Sequence, residues 1–507
     1  MTMLLLRGAV LAVLGLLAAR ALDFLRKAAE AIGWPYGLDY GEGIVWQQAN
    51  LMLTGDAYGP IDRFPAIVFH YPPVFHLAAR AIAAASGVDM LAAGRMVSAG
   101  SLLATALFIG LVIARLLPRD IPPMARCAGA ATGAMAIFCM PSIANWALLM
   151  RVDTLALSLG MAGFWLGLKS FERPGLVYAA AVCFVAAVFT KQTSLAAPAA
   201  LFSTMLWFKP RQALAGMAAC LVLGLVALGV LQYLTGGGFV NHVLFYNINR
   251  LDFNGALFVA EIVSTNLLFI IVIAFALWTQ LVEFDWRPAI FKLSAVAHVE
   301  LAATIMYFVF STLMLVMVLK SGANTNYTIE WTLVGAILIG VSMIQPLRAA
   351  SAGLPARDLP LRLVFAIFGV PALLATQIGA SVLVGLQLKI NDERIPSRSG
   401  QMKQLSQRVQ DAPKGIVSDD MVVLLRGGKR VLWEPAIFAE LAGQGRWDER
   451  GMVARVEAGE FSMFITEGHR GQMVFDSRYS PAMGRAIDAA YPVKEILAGY
   501  TLHLPRP

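Results

Sequence analysis

Apolar residues recur in long runs along most of the chain, and short polar connections separate these runs. A helix that spans a bilayer needs about 20 mostly apolar residues, because each residue advances a helix by only about 1.5 Å. About eleven segments approach that length, which predicts an α-helical polytopic membrane protein. The predicted spans are residues 3–22, 94–117, 125–148, 152–169, 176–191, 193–208, 213–234, 260–283, 294–319, 328–346 and 361–386.

The first predicted span, residues 3–22, has an alternative interpretation. It ends in the small residues of the sequence LLAARA, as a cleavable secretory signal peptide does. A retained helix is favoured, because the membrane topology that the basic residues predict needs a span at this position.

Basic residues in the connections predict which side of the membrane each connection faces. Alternate connections hold most of the Lys and Arg, and such connections are cytoplasmic under the positive-inside rule. With eleven spans and a cytoplasmic N-terminus, residues 23–93 and 391–507 both lie outside. The basic connections contain Arg115, Arg119, Arg126, Lys169, Arg173, Lys209, Arg211, Arg287, Lys292, Arg348, Arg357 and Arg362.

The C-terminal part of the chain differs in composition from the rest. Only 14% of the 507 residues are charged, against about 25% in soluble domains. Residues 391–507 nevertheless contain 16 Lys/Arg and 15 Asp/Glu, whereas residues 1–390 contain 24 and 17. We therefore predict a transmembrane domain over 1–390 and an external soluble domain over 391–507.

The pattern within the C-terminal part predicts a small α/β domain. The runs GIVSDD, MVVLL and FSMFIT are typical of strands, and PAIFAELAGQG and DERGMVARVEAG are typical of helices. The net charge of +8 comes almost wholly from residues 1–390, where 24 − 17 = +7. That distribution indicates membrane topology and argues against a nucleic-acid partner.

The first external loop, residues 23–93, is too long for a simple connector. Within it, Tyr71-Pro72-Pro73 does not fit a helix, because proline fixes its own φ and biases the preceding residue towards extended geometry. Residues 74–86 follow as an amphipathic helix that is too short to span and is predicted to lie at the membrane interface.

Polar residues gather on the predicted outer side of the membrane. Ionisable residues near the bilayer are costly to bury, so by default they indicate function. Under the predicted topology, five short segments bring such residues to one depth, where they converge around one cavity. The segments contribute Asp39 and Glu42; Arg151 and Asp153; Lys191 and Gln192; Arg250; and Lys320, Asn324, Asn326, Tyr327 and Glu330.

Structural roles are the alternative for the first two segments. Asp39 and Glu42 suit the N-terminus of a helix that starts near Ile44, where acids cap the free N–H groups. Arg151 and Asp153 suit a structural ion pair with each other.

Structural roles are also open for the other polar segments. Lys191 could extend its ammonium to the lipid headgroups, and the polarity around Arg250 could be that of an ordinary loop. Residues 324–330 could form a turn in which Glu330 makes a buried hydrogen bond. His70 fits packing or hydrogen bonding better than metal binding. The convergence of all five segments favours function over these separate explanations.

These segments, in this order, resemble the GT-C class of membrane glycosyltransferases, which use polyprenyl-phosphate-linked sugars. That class includes protein O-mannosyltransferases and the aminoarabinose transferases of lipid A. The resemblance covers nearly the whole chain, above all residues 1–350, and is closest to a bacterial branch with YGEG in the first loop. It rests on LDYGEG, YPPVFHLAARAI, RVDTLALSLGMAGFWLGL, FTKQTSLAAPAAL and GANTNYTIEWTLVGAILIG.

The resemblance implies roles for the outer residues. An acceptor hydroxyl attacks the anomeric carbon of the donor sugar, the lipid phosphate leaves, and the configuration inverts. Asp39 or Glu42 serves as the general base, and glycines 41 and 43 let a sugar approach the backbone. Cations hold the leaving phosphate, first Arg151 and Lys191, then Arg250 and Lys320. The implied substrate pocket comprises Tyr40, His70, Tyr71, Asp153, Gln192, Asn324, Asn326, Tyr327 and Glu330.

The first loop departs from the pattern of the class in one respect. Many members place Asp and Glu side by side, whereas Tyr40 and Gly41 here separate Asp39 from Glu42. Asp39 is favoured as the base, and Glu42 stays the alternative. Some members of the class bind a divalent cation with these acids, and carboxylates suit Mg²⁺ or Mn²⁺; the sequence leaves metal use open.

The resemblance implies a multi-pass protein of the bacterial plasma (inner) membrane with a periplasmic C-terminal domain. Its partners would be the polyprenyl-phosphate sugar donor, membrane lipid, and a glycan, lipid or protein acceptor. A transporter or lipid-linked sugar flippase is one alternative, although the sequence shows no internal repeat of halves. An envelope scaffold with a glycan-binding external domain is another.

Overall fold

The computed structural model describes residues 2–118, 121–247, 250, 255–283, 296–320, 322–343, 361–383 and 395–506. Most of these residues are helical, which confirms the predicted fold class. The helices up to residue 383 are Thr2–Gly33, Tyr40–Leu51, Val74–Ser86, Met90–Leu116, Pro123–Ala136, Pro141–Trp146, Asp153–Ser170, Leu176–Val188, Ala196–Phe208, Pro210–Leu234, Gly238–Val243, Gly255–Thr265, Leu267–Glu283, Val296–Met314, Ile329–Ser342, Leu361–Val364 and Val370–Leu383. Tighter 3-10 turns cover Ile137–Cys139, Phe245–Asn247, Leu315–Leu319 and Thr325–Thr328, and a wider π-turn covers Phe365–Gly369.

Three of the described helices are long and apolar enough to cross a membrane, namely Met90–Leu116, Pro210–Leu234 and Val299–Leu319. The pair Val259–Thr265 and Leu267–Val282 passes the same test together, although the two parts meet at an angle of 81°. Four shorter apolar helices accompany them. The total of about eleven spans and the assignment of the two sides stay predictions.

The first helix is longer than the predicted span, because it continues from Thr2 to Gly33. Val13 and Leu17 are buried in the main hydrophobic core, where this helix packs against Met90–Leu116. Packing of this kind favours a retained helix over a cleaved signal peptide. The helix therefore extends into the segment 23–93 that is predicted as the first external loop.

The predicted span 125–148 is broken in the structure. Helix Pro123–Ala136 tightens into a 3-10 turn at Ile137–Cys139, and a new helix begins at Pro141. Proline lacks the N–H that would continue the helical hydrogen bonds, so it suits the first position of a new helix. The short helix that follows carries Trp146 towards Arg151.

Several predictions lie outside the described residues. They are the span ends 294–295, 344–346 and 384–386, the domain boundary near residue 390, and the basic residues Arg119, Arg287, Lys292, Arg348 and Arg357.

Residues 395–506 form a four-stranded sheet with flanking helices. The strand order is β1-β2-β4-β3, with β1 parallel to β2 and the other neighbours antiparallel. The strands are β1 Gly415–Ser418, β2 Phe461–Thr466, β3 Val493–Leu497 and β4 Tyr500–Leu504. The helices are Ile395–Asp411, Met421–Arg426, Pro435–Gly443, Arg450–Glu457, Met473–Arg478 and Pro481–Ala490.

One predicted strand in this region is wrong, since MVVLL forms the helix Met421–Arg426. A short apolar run bounded by polar residues fits a buried strand and a buried helix equally well. Asp420 favours the helix, because its Oδ1 accepts a hydrogen bond from the Val423 N–H and caps the first turn. The predicted strands GIVS and FSMFIT and the helix at Pro435 are found.

The C-terminal domain packs against the segment that is predicted as the first external loop. Helix Met421–Arg426 packs against helix Tyr40–Leu51, where a Cβ added to Gly43 would lie 2.5 Å from the Met421 backbone. Gly43 therefore serves this close packing, and not the approach of a sugar. Arg426 stacks on the ring of Trp46, and the Ala66 N–H donates to the Leu432 carbonyl. These contacts join the C-terminal domain to the segment between the first helix and helix Val74–Ser86.

Candidate active site

A cavity of about 440 Å³ opens between the helical part and the C-terminal domain. Eleven of the predicted site residues line it: Asp39, Tyr40, His70, Tyr71, Arg151, Lys191, Gln192, Lys320, Asn324, Asn326 and Tyr327. Asp153 and Glu330 line a small recess beside it, and the recess and the cavity share Lys191, Asn326 and Tyr327. Segments far apart in the sequence thus meet around one space.

Asp39 combines a structural contact with a position on the cavity wall. It precedes helix Tyr40–Leu51, and its Oδ2 accepts a hydrogen bond from the Gly41 N–H at 2.9 Å. The same oxygen lies 3.2 Å from Arg151 Nη1. Among the described residues both polar contacts of Asp39 use Oδ2, so Oδ1 is left to accept a proton. The predicted capping role is present, but the helix starts at Tyr40 and not near Ile44.

Gly41 is required by the ion pair between Asp39 and Arg151. A Cβ at residue 41 would lie 1.4 Å from Arg151 Nη1, which is an impossible contact. The guanidinium also lies over the ring of Trp146, with Cζ 5.1 Å from the ring centroid. Arg151 pairs with Asp39 and Asp153 pairs with Lys191, which differs from the alternative in which Arg151 and Asp153 pair with each other.

Glu42 lies outside the cavity and is fully buried. Arg95 donates two hydrogen bonds to its carboxylate, from Nε to Oε1 at 2.8 Å and from Nη2 to Oε2 at 2.7 Å. The N–H groups of Leu38 and Met150 donate to the same two oxygens at 2.7 and 2.8 Å. Because each oxygen already accepts two hydrogen bonds, the geometry of Glu42 is that of a structural anchor.

Arg95 completes this anchor from helix Met90–Leu116. Its remaining N–H groups donate to the carbonyls of Ala31, Trp34 and Tyr36. One buried side chain thereby fixes the end of the first helix and the start of the segment that follows it. The available sequence signal for this role was an arginine within an apolar run.

Lys191 is buried and joined to Asp153, with 2.5 Å between Nζ and Oδ1. It therefore does not extend to the lipid headgroups. The ammonium also lies 4.5 Å from the centroid of the Tyr327 ring. Asp153 accepts further hydrogen bonds from Trp146 Nε1 at 2.6 Å and Asn326 Nδ2 at 2.9 Å. Since Asp153 also accepts hydrogen bonds from these two donors, the Lys191 ammonium can interact with an anionic ligand as well.

Backbone carbonyls hold three further side chains around the cavity. The His70 carbonyl accepts hydrogen bonds from Gln192 Nε2 at 3.1 Å and Asn247 Nδ2 at 2.7 Å. Lys320 Nζ donates to the Asn247 carbonyl at 2.7 Å. Burial lowers the pKa of Lys320, and nearby Lys191 lowers it further. Like charges thus face the same space, which favours an anionic ligand.

Two other predicted residues have mainly structural surroundings. Asn324 caps the turn Thr325–Thr328, since its side chain accepts a hydrogen bond from the Thr325 N–H. Glu330 accepts a hydrogen bond from the Tyr307 hydroxyl at 2.9 Å, as the alternative of a buried hydrogen bond predicts.

Arg250 is not among the cavity residues. Its N–H lies 3.3 Å from Glu440 Oε1, and its guanidinium lies beside Gly443 in the C-terminal domain. The sequence near residue 250 did not indicate this position, because Arg250 contacts the C-terminal domain, which is distant in the sequence.

The C-terminal domain contributes cavity residues that the sequence analysis missed, including Glu434, Glu440 and Arg478. Arg478 pairs with Asp419 at 3.0 Å and stacks over the ring of Tyr40 at 4.2 Å. Four basic and three acidic side chains therefore line the cavity, namely Arg151, Lys191, Lys320 and Arg478 and the acids Asp39, Glu434 and Glu440. The sequence WEP at residues 433–435, an acid between tryptophan and proline, was the available signal for Glu434.

The candidate carboxylates do not form a joint metal site. Glu42 has its oxygens occupied by Arg95 and backbone N–H groups, and Asp39 faces Arg151. In the part of the chain that the structure describes, no group of three or more His, Cys, Asp or Glu is placed to hold a metal ion. Asp39 and Glu42 therefore do not fit a shared divalent cation.

Comparisons with known proteins show the fold. No protein-family model and no curated protein matches the chain. Among solved structures, it is similar to ArnT from Cupriavidus metallidurans bound to undecaprenyl phosphate, with 14% identity and a TM-score of 0.59 over 95% of this chain and 97% of ArnT. It is also similar to the apo Archaeoglobus fulgidus oligosaccharyltransferase, with 9% identity and a TM-score of 0.54 over 90% of this chain and 69% of the other. The GT-C resemblance is thereby confirmed at the level of the fold.

Proposed function

We propose that this chain is an integral membrane glycosyltransferase that moves a sugar from a polyprenyl-phosphate donor to an acceptor hydroxyl. Transfer takes place at the outer face of the bacterial plasma membrane. One observation carries the proposal: in a chain with this fold, a single cavity holds the carboxylate of Asp39 next to Arg151 and close to Lys191. The undecaprenyl phosphate bound to ArnT, which has a similar fold, supports a lipid phosphate as the ligand.

The reaction is a displacement at the anomeric carbon. The acceptor oxygen forms the new bond to that carbon, while the bond between the carbon and the phosphate oxygen breaks with inversion. The electron pair leaves with the lipid phosphate, and the acceptor proton passes to Asp39. A positioned base typically contributes about 10²–10⁴-fold to such a step. The proposal assigns Glu42 a structural role instead, because each of its carboxylate oxygens already accepts two hydrogen bonds.

The leaving phosphate gains negative charge as the bond breaks, so cations beside it stabilise the transition state. Arg151 offers a planar guanidinium and Lys191 a compact ammonium to the cavity. Lys320, which also lines the cavity, adds a third charge. Arg250 has no part in this set, since it contacts the C-terminal domain instead.

Replacing Lys191 with Gln is expected to weaken the binding of undecaprenyl phosphate. Gln keeps a donor for Asp153 but removes the charge, and a hydrogen bond to a charged group is worth about 10–100-fold in affinity. Microscale thermophoresis on the purified protein measures the dissociation constant. The matched control is Lys494→Ala, because Lys494 lies on strand β3 and pairs with Asp488 outside the cavity. Equal affinity for the lipid in both variants and in the wild type would reject this phosphate site.

A further inference from the structure

Glu434 stands at the start of helix Pro435–Gly443 but does not cap it. An acid at this position normally accepts a hydrogen bond from the N–H groups of the first turn. Here the Ala436 N–H donates to the Tyr40 hydroxyl at 3.2 Å instead, and the Glu434 side chain makes no capping bond. The carboxyl group therefore does not cap its helix and lines the cavity instead.

The Glu434 carboxyl is buried without a full set of partners. Its residue is 5% exposed, and Oε2 has no hydrogen-bond partner among the described residues. The nearest basic atom is His70 Nε2 at 3.7 Å, too far for a hydrogen bond. Buried polar groups are nearly always satisfied, so an unsatisfied one on a cavity wall points to a ligand.

The protonation states of this pair suit a neutral ligand group. Burial raises the pKa of the Glu434 carboxyl to about 8, although Arg151 opposes the shift. Burial also lowers the pKa of His70 to about 3. At neutral pH the wall thus presents an uncharged acid and an uncharged imidazole, which together offer both hydrogen-bond donors and acceptors.

The cavity consequently has two chemically different regions. Arg151 and Lys191 form a cationic region suited to phosphate, whereas Glu434 and His70 form a neutral polar region. Tyr71 lies beside them, and an aromatic ring next to hydrogen-bonding groups suits a sugar. In a lipid-phosphate sugar the two groups are joined directly, so a phosphate in the first region brings the sugar to the second.

We propose that Glu434, together with His70, binds a hydroxyl group of the sugar on the donor lipid. The C-terminal domain then completes the donor site and selects among sugars. This inference rests on the proposed function, since it takes the phosphate-bearing donor as the ligand. It adds a binding residue that neither the first loop nor the transmembrane helices supply.

The test compares the binding of bare undecaprenyl phosphate with that of undecaprenyl phosphate bearing mannose, glucose, galactose or arabinose. We expect the wild type to bind at least one sugar-bearing lipid about tenfold more tightly than the bare lipid, from one or two added hydrogen bonds. Glu434→Leu, which keeps the volume but cannot hydrogen-bond, is expected to abolish that preference and leave the affinity for the bare lipid within about twofold. Glu434→Ala should behave in the same way and provides a second variant if Leu disturbs folding.

The matched control is Glu495→Ala, an acid of the same domain that pairs with Arg408 outside the cavity. It should keep the sugar preference. The inference is overturned if the Glu434 variants keep the preference, if they weaken all lipids equally, or if the wild type shows no preference in the panel. Failure of the wild type to bind even bare undecaprenyl phosphate would instead overturn the proposed function on which the inference rests.

Discussion

Replacing Asp39 with Asn is expected to lower kcat for sugar transfer by about 10²–10⁴-fold, the usual contribution of a positioned base. Asn has nearly the shape of Asp and caps helices about as well, so the start of helix Tyr40–Leu51 should persist. The amide cannot take the acceptor proton. The binding of undecaprenyl phosphate should remain, because Arg151 and Lys191 are unchanged.

The measurement is the initial rate of sugar transfer by purified, reconstituted protein at saturating donor. Asp56→Asn serves as the control, since Asp56 is an exposed acid of the same loop and lies away from the cavity. The control should retain the wild-type rate. A rate for Asp39→Asn within a few-fold of the wild type would exclude Asp39 as the base.

Replacing Glu42 with Gln is expected to damage the protein in a different way. The guanidinium of Arg95 would remain buried without its carboxylate, and breaking a buried pair by removing one partner costs about 3–5 kcal/mol. We expect a clear fall in the melting temperature, measured by tryptophan fluorescence in detergent. The kcat of the fraction that stays folded should be close to that of the wild type.

A double variant separates charge burial from catalysis at this site. Glu42→Gln combined with Arg95→Gln removes both charges, and each amide keeps a hydrogen-bond partner for some of the backbone groups that Glu42 and Arg95 bind, so no buried charge is left without its partner. Its melting temperature should therefore exceed that of Glu42→Gln. If Glu42→Gln instead keeps its stability and loses transfer, Glu42 acts in the reaction and the structural assignment is wrong.

The sequence predicted the parts of the fold that local patterns determine. Apolar runs indicated most of the helices, and residues 74–86 form the helix Val74–Ser86 that the amphipathic pattern predicted. Asp39 and Glu42 indicated a helix N-terminus, but the helix begins at Tyr40 and not near Ile44, and Asp39 caps it. Breaks within spans were missed, because the hydropathy of residues 125–148 is continuous across the turn before Pro141.

Contacts between distant segments account for what the sequence analysis missed at the candidate site. The convergence of Asp39, Arg151 and Lys191 on one cavity followed from the predicted topology. The ion-pair partner of each charged residue did not follow from the sequence. Arg95, for example, lies 53 residues from Glu42, and no periodicity links the two. Glu434 was missed because its position depends on how a separate domain docks on the first loop.

The central claim is that the cavity transfers sugar from a lipid phosphate, and one measurement tests it most directly. Purified protein in liposomes receives radiolabelled polyprenyl-phosphate sugars extracted from its source cells, together with the envelope fraction of those cells as acceptor. The label is then followed between lipid extract and acceptor. We expect the wild type to move label from the lipid to the acceptor, with one lipid phosphate released for each sugar, and Asp39→Asn to move almost none. Labelled lipid that crosses the bilayer with its sugar still attached, without any transfer, would contradict the claim and favour a flippase.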